Sequence, residues 1–82
     1  MSNIDLIKEQ SDLFSRLENT GNHYSFFKKG RKFVYFSTGG WSYNEELISE
    51  LQQKPIWGLL LVKWETGGHY TFKIIKKERG GF

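Results

Sequence analysis

The stretch "HYSFFKKGRKFVYFST", residues 23–38, limits the possible folds more than any other part of the chain. Two aromatic, β-favouring runs flank a basic segment around Gly30, which is the pattern of a β-hairpin. The remaining elements can be laid out on either side of it. "GGWSYNEELISELQQKP" follows, and Ser42 with Glu45 three residues on forms a capping box that opens a helix. Leu47, Ile48 and Leu51 give this helix its apolar face, and Pro55 is expected to end it. "IWGLLLVKW" is apolar on both alternating faces and reads as a central strand. "TGG" then turns the chain into "HYTFKIIKK", the last strand. Upstream, Ile4, Ile7, Phe14 and Leu17 form a helical stripe over residues 4–18, widened by Leu6 and Leu13. Ser2 or Asn3 can cap its start, and Gly21 is the expected stop. The order is α-β-β-α-β-β: an α+β fold, one small domain over residues 1–82, with a four-stranded, mostly antiparallel sheet packed with two helices. Residues 1–3 and 78–82 are expected to be loose.

A chain of 82 residues buries only about 60–65% of its unfolded surface, so its stability margin is thin. It has no cysteine and therefore neither a disulfide staple nor a thiolate metal site. Seven Phe, four Tyr and three Trp compensate, each ring able to bury roughly 150–250 Å². Some of these rings can instead serve a homodimer interface or a ligand. The net charge of +3 favours acidic partners without requiring nucleic acid. No apolar run approaches the ~20 residues of a membrane span, and "MSNIDLIKEQ" lacks the progression of a secretion signal. The expectation is a soluble, cytoplasmic protein with no membrane partner.

A second constraint is a repeat. "TGNHYSF" at residues 20–26 returns as "TGGHYTF" at residues 66–72, and the two phrases contain both histidines of the chain. If the second strand runs upward, it ends at the top with Gly39 and Gly40, where the second helix begins and runs down. A right-handed crossover returns the third strand upward, so its "TGG" also lies at the top. Hairpin partners run the opposite way, so the first and fourth strands begin there. One rim should therefore collect His23, Tyr24, Gly39, Gly40, Trp41, Ser42, Asn44, Gly67, Gly68, His69 and Tyr70. The helix amino terminus on that rim favours an anion, although its capping box reduces that capacity. Paired glycines allow close backbone approach, and Trp41, Tyr24 and Tyr70 offer faces for stacking. The competing explanation is turn chemistry alone, with T-G-x-H-Y serving only to start a strand. The same bookkeeping gathers Lys28, Lys29, Arg31, Lys32, Lys54, Lys76, Lys77 and Arg79 at the bottom: eight of the twelve Lys and Arg. Such a basic pole can contact several phosphates with salt-dependent affinity.

"FSTGGWSYNEELI" together with "GGHYTFKI" resembles a group of small bacteriophage and prophage proteins that carry GGWS-x-NE, a Trp-rich strand and then GGHY-x-F. The resemblance covers roughly residues 33–75 and departs at "VKWETGGHY", where a more basic stretch is expected. It implies a phage-encoded protein acting in the bacterial cytoplasm. By that analogy the first expectation is a non-catalytic, stoichiometric inhibitor or modulator of a host defence or regulatory complex. Its rim would capture a host protein complex or a nucleotide-like ligand. The second is a nucleic-acid-binding module that contacts DNA or RNA through the basic pole. A third is ribonuclease chemistry: two imidazoles at one edge can act as acid and base. "TGNHYSFFKKGRKFVYF" faintly resembles the HicA-type mRNA interferases, whose G-S-H strand opening supplies a catalytic His, but Asn22 stands in place of the serine. No metal or cofactor is expected, since two His with scattered carboxylates lack ligand spacing and no phosphate-loop or dinucleotide fingerprint occurs.

Overall fold

The computed structural model describes residues 3–39 and 42–75, with side chains for residues 5–39 and 44–75. Helix α1 (Asn3–Leu17) buries Leu13 and Leu17, while Leu6 and Phe14 pack against the core beside them. It stops in a turn where the Thr20 N–H and hydroxyl both donate to the Leu17 carbonyl, so Gly21 opens a strand rather than ending the helix. Strands β1 (Gly21–Lys28) and β2 (Arg31–Thr38) form the expected hairpin around Lys29 and Gly30. Both turn residues have positive φ, 52° and 77°, which matches the right-handed twist of the flanking strands.

Helix α2 (Ser42–Gln52) buries Ile48 and Leu51, with Leu47 partly buried. The expected capping-box contacts of Ser42 lie outside the described residues. The next segment corrects the sequence reading. "PIWGLL" is a third helix, α3 (Pro55–Leu60), and only then does β3 (Leu61–Glu65) begin. Pro55 starts α3 instead of merely ending α2: its ring presets φ at the first helical position, and Lys54 before it is extended. Ile56, Trp57 and Leu60 then fall on one buried face, with Gly58 and Leu59 outside. An unbroken apolar run fits a buried strand and a short buried helix equally well, so its periodicity could not decide.

The sheet order is β1-β2-β4-β3, with β4 (His69–Lys73) between β2 and β3 and every pairing antiparallel. Because β2 and β3 are both antiparallel to β4, they point the same way, as the crossover argument required. They are not neighbours, however, and β3 is an edge strand rather than the central one. Val34 and Phe36 of β2 and Tyr70 and Phe72 of β4 face the helices and form the core. Phe14 sits 5.6 Å from Phe36 and 5.8 Å from Phe72, and Trp57 meets Tyr70 and Phe72 edge-on at 5.0 and 5.1 Å. Gln10, buried on α1, holds the chain just past β4: its amide N–H donates to the Ile75 carbonyl (3.0 Å) and its carbonyl accepts from the Ile75 N–H (2.7 Å).

Candidate functional site

The end of β2 draws together most of the described rim residues. Gly21 lies opposite Thr38, the Thr38 N–H donates to the Gly68 carbonyl (2.8 Å), and the Gly39 N–H donates to the Thr20 carbonyl (2.9 Å). Buried Asn44 donates to the carbonyls of Thr20 (2.8 Å) and Gly39 (3.2 Å), tying α2 to both. The two repeated phrases thus flank Thr38 from either side. A cleft of about 320 Å³ opens there, lined by Thr38, Gly39, Asn44, Glu45, Ile48, Gly67, Gly68 and Tyr70. Tyr70 is buried, and desolvation raises its hydroxyl pKa above the usual value, opposed by a side-chain hydrogen bond from Trp64. Gly40, Trp41 and the Ser42 side chain lie outside the described residues.

The two histidines do not form a pair. Residues alternate between the faces of a strand. His23 is opposite Phe36 and stacks on it from the helix side (5.8 Å), whereas His69 is opposite Ser37 and points to the other face. There His69 stacks on Tyr35 at 5.9 Å and 12°, and its Nδ1 shares a hydrogen bond with the Tyr35 hydroxyl. An acid and base acting on one substrate need a common face, and the sheet itself separates these two imidazoles.

The expected basic pole is also divided. Lys28 and Arg31 pair across the hairpin on the face turned away from the helices. Lys32 occupies the opposite face, its ammonium 5.8 Å from the Phe27 ring, and Lys29 sits in the turn. Lys54 belongs to the helical layer, 3.7 Å from Asp12. Lys76, Lys77 and Arg79 lie outside the described residues.

The face away from the helices is a site the sequence reading missed. Phe26–Phe33 (5.5 Å), Tyr24–Tyr35 (5.0 Å), Tyr24–Phe26 (6.0 Å) and Tyr35–His69 (5.9 Å) join into a continuous strip of rings across β1, β2 and β4. A depression of about 470 Å³ follows this strip, lined also by Lys28, Val62, Lys63, Glu65 and Thr71. Tyr24 is 57% exposed, while Phe26, Phe33 and Tyr35 are half-buried, so the rings present faces without sinking into a core. Lys28, Arg31 and Lys73 surround the Phe26–Phe33 end, and Lys63 is held 3.8 Å from Glu65 at the β3 edge. The signal was present in the sequence as aromatic residues at both alternating positions of the hairpin. Among the described residues the helices cover only one of the two faces.

Among the described residues no group of three or more His, Cys, Asp and Glu is placed to hold a metal ion, and no helix is long and apolar enough to cross a membrane. Comparison with protein-family models, with curated proteins and with solved structures finds no match for the chain.

Proposed function

We propose that the protein binds single-stranded nucleic acid on the uncovered face of its sheet. The observation that carries this reading is the strip of five rings, Phe33, Phe26, Tyr24, Tyr35 and His69, bordered by Lys28, Arg31 and Lys73. Unpaired bases stack on such rings with about 1–3 kcal/mol per base, and cations beside the rings hold the phosphates. This keeps the partner class expected for the basic pole and moves its contact surface onto the sheet. The chain's pI of ≈ 9.3 supports an anionic partner. The test is fluorescence anisotropy with labelled single-stranded DNA, single-stranded RNA and a duplex control. Binding to the single strands should weaken by roughly 5- to 150-fold for each of Tyr24→Ala and Phe26→Ala. No binding to any single strand, or an unchanged affinity in the folded double variant, rejects the reading.

A second reading, capture of a host protein by the rim as a stoichiometric inhibitor, is favoured by the cleft between Asn44, Glu45 and the Gly67–Gly68 turn. Glu45 is exposed there, so Glu45→Lys should abolish capture in a pull-down from bacterial lysate while leaving the fold intact. Equal capture by the variant removes the rim from consideration.

A further inference from the structure

We propose that β1 pairs with β1 of a second copy of this chain, in antiparallel register, to make one continuous eight-stranded sheet. The argument begins with which backbone groups are free. The Lys32 carbonyl accepts from Ile74 and the Thr38 N–H donates to Gly68, so the even-numbered residues of β2 bond towards β4. The odd-numbered residues of β2 therefore bond towards β1, where their partners are Asn22, Tyr24, Phe26 and Lys28. Gly21, His23, Ser25 and Phe27 are left with N–H and C=O groups directed outward from the sheet.

The two edges of the sheet differ in how they are guarded. The β3 edge has five residues, a register shift between Leu61 and Lys63, and the ion pair Lys63–Glu65. Short length, a bulge and charge are the usual devices against edge pairing. The β1 edge has none of them. It is eight residues long, in full register with β2, without proline, and charged only at its last residue, Lys28. Among the described residues no helix covers it: seven of its eight residues are exposed, and Phe27 is 68% exposed with its ring on the helix side.

The strand is also complementary to itself. Centred on Tyr24, antiparallel self-pairing sets His23 against the second copy's Ser25, and Phe27 against its Gly21. The most exposed of the large rings then lies over the residue that has no side chain. Lys28 falls opposite Thr20, so no like charges meet. A two-fold axis normal to the sheet keeps both helix layers on one side, and the two aromatic strips adjoin at Tyr24. This pairing is independent of nucleic acid and is tested without it.

Sedimentation velocity of the wild-type protein from micromolar concentration upward should give twice the 9.7 kDa chain mass. Ser25→Pro removes an outward N–H without touching the β1–β2 ladder, and a folded variant (checked by circular dichroism) should sediment as a monomer. Should that variant fail to fold, oxidative cross-linking decides. Tyr24→Cys places two thiols at the two-fold axis and should link two copies in a chain that has no cysteine of its own, whereas Lys63→Cys on the guarded edge should not. A wild-type mass of one chain throughout, a dimer unaffected by Ser25→Pro, or equal linking at both edges overturns the proposal.

Discussion

The glycine doublet that ends in Gly68 can be tested as architecture by adding one methyl group at a time. Gly67 and Gly68 both have positive φ, 96° and 85°, so alanine at either position is strained by about 1–2 kcal/mol. Their surroundings differ. A Cβ on Gly67 meets only the edge of the His69 ring at 3.4 Å, an ordinary contact. A Cβ on Gly68 would collide with the Thr38 hydroxyl oxygen and lie 2.8 Å from the Thr38 carbonyl oxygen. Relieving that clash moves the Gly68 carbonyl away from the Thr38 N–H and hydroxyl, which both donate to it, at 2.8 and 3.1 Å. Two such bonds are worth about 1–3 kcal/mol together. Gly68→Ala should therefore cost about 2–5 kcal/mol, against about 1–2 for Gly67→Ala. In a domain of this size the larger loss lowers Tm by roughly 10 °C or more. Urea unfolding followed by tryptophan fluorescence reads both variants, since Trp57 is buried in the native state. Equal destabilisation by the two substitutions, or a Gly68→Ala loss of under about 1 kcal/mol, would refute the reasoning.

Other consequences can be measured on the same material. Gln10→Leu leaves both Ile75 backbone groups without their partner and should cost about 1–3 kcal/mol, with the fastest gain in amide exchange at Ile75. Burial raises the Tyr70 hydroxyl above its ordinary pKa of 10.0, so the stability this residue contributes is complete below pH 10 and is lost as pH rises through the higher folded value. Wild-type stability should accordingly fall more steeply above pH 10 than that of Tyr70→Phe, as seen in urea midpoints. If Lys28, Arg31 and Lys73 each neutralise one phosphate of a single strand, the log–log salt slope of binding should be about −2, and Lys28→Ala should make it shallower by about 0.7.

The sequence carried the hairpin at Gly30, the two longer helices and the shared direction of β2 and β3, because turn chemistry and crossover handedness are local or nearly local rules. It did not carry the division of "PIWGLLLVKW" into helix and edge strand, since the run is apolar at every spacing and only Pro55 marks the boundary. The site was legible in part. The convergence of Thr20, Gly39, Asn44 and Gly68 around Thr38 follows from topology, so the meeting of the two repeated phrases at one end of the sheet is legible in the sequence. The opposite orientations of His23 and His69 depend on register, which a repeated phrase does not reveal. The aromatic face was hidden because Tyr24, Phe26, Phe33 and Tyr35 alternate with Phe27, Val34 and Phe36, which are apolar and β-favouring too. Such strands read as buried on both sides until the helices are counted and found on one.

The clasp between Gln10 and Ile75 joins positions 65 apart in the chain, whereas the turn at Lys29–Gly30 closes the neighbouring strands across two residues. Contacts so unequal in separation impose a sequence of assembly: the near ones form at little entropic expense, and the far one waits for both its ends to be brought together. The first helix is therefore expected to lock late onto the segment that follows β4, and a refolding experiment that follows the Ile75 amide should show it protected after the hairpin amides.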